Sequence, residues 1–190
     1  FLRRSQGRSR RGTRCCVKAA TSRGPNVHVI GAICQTGLVF WERRRGSFLK
    51  EDCAEWLRQA LRRSDEPYDQ LAVVCDNAPV HAGLERVVEE DEFAGVLLIR
   101  SAPYSAPLNP IEECWSVMKA AMKREMAASF TEMMETAPGL TQQEHRLRYL
   151  ESKIDDAMPR ITPLVCLRSC NHVQRHFAAC MALTDLAMGE

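Results

Sequence analysis

No stretch of the 190 residues approaches the roughly 18 consecutive apolar residues a membrane-spanning helix needs, so no membrane partner is expected. The opening lacks the charged segment and apolar core of a secretory signal. The nine cysteines form no CxxC pair, and a disulfide framework does not suit a chain of this size and composition. A reducing compartment is therefore expected, nuclear in a eukaryote and otherwise cytoplasmic. The absence of a GxSxG elbow removes the Ser/His/Asp hydrolase reading. Acid is missing from the front: no Asp or Glu precedes Glu42. The chain starts at Phe1 rather than methionine, so its natural N-terminus is expected to lie upstream.

What is present suits a globular domain with a real core, or one domain plus a tail. Hydrophobic residues make up 45% and charged residues 26%. Net charge is only +2, yet Arg3, Arg4, Arg8, Arg10, Arg11, Arg14, Lys18 and Arg23 all come before the first acid. A basic opening of this kind can neutralise phosphates, although alone it reads more readily as a solvated arm.

Along the chain, residues 1–14 read as a loop and 15–21 as a short strand. The β-branched run 26–34 and "LVFWE" (38–42), separated by a Gly37 turn, predict a hairpin. From Ser47, a plausible N-cap, the period changes. Leu49, Cys53, Trp56, Leu57, Ala60 and Leu61 fall on one helical face. "LAVVC" (71–75) and "GVLLIR" (95–100) predict strands buried on both faces, with a helix over 80–92 between them. A long helix is expected from about Pro110 to Phe130, then helical segments over 142–158 and 163–186. Alternation of this kind predicts a mixed α/β sheet flanked by helices, with reacting groups at the carboxyl ends of the strands.

Two stretches carry chemistry. "VVCDNAPVH" (73–81) ends an apolar strand on Asp76. In "PYSAPLNPIEECW" (103–115), Asn109 can cap a helix, Pro110 suits its first position, and Glu112 and Glu113 sit in the first turn, where the dipole favours carboxylates. Ile111, Trp115, Met118 and Met122 recur at helical spacing and should face the core. If Asp76 and Glu112 converge, they form an oxygen-rich pocket suited to Mg²⁺ or Mn²⁺. Taken singly, Asp76 reads more readily as a cap and Glu112 as a dipole partner.

Taken jointly, "CDNAPVH" and "PYSAPLNPIEECWSVMK" resemble the DDE transposases of the mariner superfamily and their bacterial insertion-sequence relatives. The likeness spans roughly residues 1–125. That family carries an aspartate in D-N-x-x-x-H and, some 34 residues later, an acid in a proline-rich S-P-x-L-N-P-I-E segment. Here 35 residues separate Asp76 from Glu112, and Ser105-Ala106-Pro107 stands in place of Ser-Pro-Asp. The resemblance implies a ribonuclease H-like fold over 1–130, with its first strand missing or partial and a helical extension over 131–190. It implies metal-dependent DNA cleavage and strand transfer with two Mg²⁺ or Mn²⁺ ions, with transposon ends and target DNA as partners, and it allows a homodimer. Asp76 and Glu112 are then the second and third members of an acidic triad and metal ligands. Asn77, His81 and Asn109 support them, and Arg8, Arg10, Arg11, Arg14, Arg43, Arg44 and Arg45 track phosphates. The family's first aspartate precedes a segment like "RRSQGRSRRGTR" and has no counterpart here, so the chain alone is expected to be inactive. Asp52, in the first predicted helix, does not replace it. The alternative is a non-enzymatic remnant or co-opted DNA-binding protein that keeps the fold.

Cys166, Cys170, His172, His176 and Cys180 invite a zinc site. Their i,i+4 pairs lie on different faces of one predicted helix, which favours core cysteines and surface histidines.

Overall fold

The computed structural model describes residues 8–15, 25–103 and 105–184. The strand expected over 15–21 lies, from residue 16 on, outside them, as do Arg3, Arg4, Lys18 and Arg23. Strands β1 (Val27–Cys34) and β2 (Gly37–Arg45) form the expected antiparallel hairpin, with an irregularity between Ala32 and Ile33. Side chains alternate across a strand, and both faces of this hairpin are used. Ile30, Ala32 and Phe40 join one core with helix α1 (Lys50–Arg62), while Val27, Val29, Ile33, Leu38 and Trp41 join a second core on the other side.

Helix α1 buries Cys53, Trp56, Leu57, Ala60 and Leu61, the predicted stripe, but Leu49 is left 64% exposed. Ser47 is not the cap. The Asp52 carboxylate reaches back to accept from the Leu49 N–H at 2.8 Å, so the helix begins two residues later than the sequence implied.

The second sheet is parallel: β3 (Ala72–Cys75) beside β4 (Leu97–Arg100), with Val73 opposite Leu98. Burial on both faces is not found. Val73, Cys75 and Leu98 pack toward α1, whereas Val74 (54%), Leu97 (59%) and Ile99 (43%) are exposed. Nor does one helix cover 80–92. A 3₁₀ turn (Pro79–His81), the short α2 (Glu85–Val88) and another 3₁₀ turn (Asp91–Phe93) replace it. Gly83 at φ +86° explains the break, because that left-handed conformation cannot continue a helix. The periodic apolar residues still go inward: Leu84, Val87 and Phe93 are buried under α1.

Helix α3 (Pro110–Ala128) runs close to its expected span and is followed by α4 (Phe130–Met134). Helices α5 (Gln142–Ala157) and α6 (Pro163–Val173) each begin on a threonine cap: Thr141 accepts from the Glu144 N–H and Thr162 from the Val165 N–H. The helix expected over 163–186 breaks at a 3₁₀ turn (Gln174–His176) before α7 (Phe177–Met181). Met118 and Met122 are buried as predicted, with Cys114 and Ala121 beside them. Helices α3, α5 and α6 share this core with the hairpin. One close approach seats α3: a Cβ on Gly31 would lie 2.8 Å from Cη2 of Trp115.

Alternation also settles the arginine run. Strand β2 extends to Arg45 rather than ending at 42, so successive guanidinium groups point to opposite faces. Arg44 pairs with Asp52 of α1. Arg43 bonds Asp155 at 2.6 and 2.8 Å, and Arg45 grips both Glu151 (2.7 and 2.8 Å) and Glu144 (2.8 and 3.2 Å) of α5. These three arginines fasten the hairpin between two helices.

Gly31→Val should cost about 1–3 kcal/mol by overpacking against Trp115, read as a lower urea midpoint, and adding Trp115→Leu should recover part of the loss. The Arg45 hydrogen bonds hold the Glu151 and Glu144 carboxyls below the usual glutamate range. Groups with depressed folded values stabilise above their unfolded value, about 4.3, and lose that contribution as pH falls through the folded ones. Urea midpoints at pH 7 and pH 3 should therefore differ more for the native chain than for Arg45→Gln.

Candidate active site

Asp76 is the first residue beyond β3, where a parallel strand delivers its carboxyl end to the edge of the core. Its carboxylate is held from within the following turn. Oδ1 accepts from the Ala78 N–H at 2.9 Å, an Asx turn, and lies 2.7 Å from His81 Nδ1. The side chain nevertheless stays 48% exposed, against 22% for His81. Asn77 turns the other way, and its amide donates to the Ser101 carbonyl just past β4. The two strand ends are thereby tied together.

Sequence reasoning missed Arg100, the last residue of β4. Its Nη1 donates to the Asp76 carbonyl at 3.2 Å and its Nη2 to the His81 carbonyl at 2.6 Å, while Nε bonds Glu85 at 2.9 Å. One guanidinium thus fixes both ends of the loop that carries Asp76, a use that its fork of donors allows and a lysine could not reproduce. The backbone carbonyls it serves leave no residue-type signal. Glu85 falls in a stretch the sequence assigned to a regular helix.

On the facing side, Asn109 caps α3 with its side chain accepting from the Ile111 N–H, and Pro110 occupies the first helical position. Glu112 is exposed in the first turn, where the helix dipole favours an anion. Glu113 instead points toward α6 and lies 3.2 Å from His172 Nε2. Asp76 and Glu112 line the same open cleft of about 360 Å³, together with Asn77, Ser101, Ser105 and Asn109. Its side-chain donors are carboxylate, amide and hydroxyl groups, with no thiol among them. Such a set fits a hard divalent cation and not zinc. Among the described residues no group of three His, Cys, Asp or Glu is placed to hold a metal; the acids that line this cleft are Asp76 and Glu112.

The remaining sequence candidates are dispersed. Asp52 is engaged by Leu49 and Arg44, away from the cleft. Arg8, Arg10, Arg11 and Arg14 are exposed. Cys166 is fully buried, and burial, the main cause, pushes its thiol up to about 12, which keeps it protonated and a poor ligand. His172 and His176 stack edge to face at 5.6 Å near the surface.

Comparison with known proteins bears on this geometry. A family model described as DDE superfamily endonuclease matches residues 2–134. No curated protein matches. Among solved structures, the Mos1 mariner paired-end complex with Mn superposes with a TM-score of 0.66 at 16% identity, over 98% of this chain and 52% of that one. The pre-cleavage Mos1 transpososome gives 0.67 at 15%, over 98% and 53%. The chain spans about half the length of the structures it matches, and at this identity they show the fold: a mixed α/β domain of the ribonuclease H-like kind.

If Arg100 fastens the Asp76 loop, Arg100→Met should cost about 1 kcal/mol by leaving two part-buried carbonyls without this donor. Hydrogen exchange should rise across 76–84 more than in α5, and equal protection in both would contradict the clamp.

Proposed function

The chain belongs to the DDE superfamily endonucleases, and on that premise we propose that it is the catalytic part of a mariner-type transposase acting on transposon ends and target DNA. One observation carries this reading: Asp76 and Glu112, with 35 residues between them, line a single cleft from a strand end and a helix start. They serve as metal ligands and as two members of the acidic triad. A pair of divalent cations, Mg²⁺ or Mn²⁺, would supply activation of a water or 3′-hydroxyl and stabilisation of the leaving oxygen. The protein's own part is orientation. His81 and the Ala78 N–H fix the Asp76 carboxylate, Asn109 and Pro110 fix where α3 begins, and Asn77 and Arg100 hold the two strand ends in register.

Residues 1–130 make up the catalytic portion in this reading, and 131–190 are a helical extension that braces α3. The exposed Arg8, Arg10, Arg11 and Arg14 contribute phosphate contacts. Because no acid precedes Glu42, residues 1–41 do not supply the triad's first carboxylate. This favours a second reading for the isolated chain: it binds DNA without turnover.

Manganese binding and plasmid nicking separate the two. Electron paramagnetic resonance should show Mn²⁺ bound weakly by the native chain and at least tenfold more weakly by Asp76→Asn and by Glu112→Gln, with unchanged circular dichroism. Equal Mn²⁺ affinity in all three proteins sinks the site assignment. Mg²⁺-dependent nicking that both substitutions abolish supports the enzyme, whereas DNA binding with no nicking by the native chain supports the second reading.

A further inference from the structure

Among the described residues no hydrogen bond or ion pair holds the Glu112 side chain, so its place in the cleft depends on where α3 begins and how the helix is turned about its axis. The next two residues fix that turn from the side of α6. Glu113 lies 3.2 Å from Nε2 of His172. Cys114, fully buried, donates its thiol to Oγ of Ser169 at 3.7 Å. The His172 ring in turn meets His176 edge to face at 5.6 Å. His176 ends the turn Gln174–His176, which packs on the turn Ala106–Leu108. That turn leads straight into Asn109, the cap of α3, and Ala106 lines the cleft itself. A chain of contacts therefore runs from the cleft wall through His176 and His172 to Glu113, one residue after Glu112.

We propose that His172 is a positioning residue for the metal site: through Glu113 it fixes the rotation of the first turn of α3, and with it the direction in which the Glu112 carboxylate enters the cleft. The proposal rests on the endonuclease reading and extends the site beyond residues 1–130, into the helical extension. Glu112 and Glu113 stand about 100° apart around the helix. With Glu113 tied to α6, it is Glu112 that stays at the cleft, and Glu113 does not swing in as a competing ligand. The first turn needs such a hold, because its N–H groups lack intrahelical partners. Both members of the pair are part-exposed, and pairs of that kind add little to stability. What this one supplies is geometry.

The test is Mn²⁺ binding to the full 190-residue chain, read by electron paramagnetic resonance beside the urea midpoint. His172→Ala should weaken Mn²⁺ binding about fivefold, less than losing a direct outer-shell partner costs, because the effect passes through a neighbouring residue. Its urea midpoint should stay at the native value. Glu113→Ala should give the same loss of affinity, and the double variant no more than either single one, as a shared contact requires. His172→Gln, whose amide can make the same contact, should return affinity to within about twofold of native. Should His172→Ala fail to fold, Glu113→Ala and His172→Gln decide by themselves. A lower midpoint with native Mn²⁺ affinity in the folded protein would overturn the positioning role, as would tighter Mn²⁺ binding by His172→Ala, which would make the freed Glu113 a ligand. Either result, with Glu112→Gln still weakened, leaves the endonuclease reading in place. Native affinity in Glu112→Gln would overturn both.

Discussion

The close contact of the Trp115 ring with Gly31 governs how the two halves of this molecule meet. It requires a strand residue with no side chain and a helix residue with a large one, directly apposed. That apposition sets the depth and rotation of α3 against the hairpin. Glu112 lies one turn before Trp115, so the same contact decides where its carboxylate emerges. On the other face of the hairpin, Phe40 stacks on Trp56 of α1 at 5.5 Å and locates the core beneath β3 and β4. A hairpin packed on both faces is thus the reference against which both carboxylate-bearing elements are placed.

Electrostatics follows the same alternation. A run of three arginines looks like a patch when written as letters, but in a strand it is a two-sided fastener. Arg44 reaches α1, and Arg43 and Arg45 reach α5. Intramolecular pairing of this kind removes positive charge from the surface available to DNA.

Local chemistry made much of the site legible. Asn109-Pro110 with two glutamates announces a helix start by capping and dipole alone, and α3 begins there. Asp76 after an apolar run reads as a strand end, and it is one. Other features depended on partners distant in the chain. Gly83 can sit inside a helical pattern on paper, but its positive φ divides the expected helix into short turns. Ser47 looked like a cap until Asp52 supplied the bond instead. Arg100 could not be found at all, because what it holds are the backbone carbonyls of Asp76 and His81.

By itself, the order of residues determined the hairpin, α1 and α3 with their periodic apolar faces, and singled out Asp76 and Glu112 as candidates, because propensity, capping and hydrophobic period act within a few residues of one another. Only the tertiary structure decided which cations are occupied, which strand faces remain exposed, and that Asp76 and Glu112 open into one cleft. Those outcomes are set by contacts between segments tens to more than a hundred residues apart, and such contacts form only once the hairpin is sandwiched between its helices.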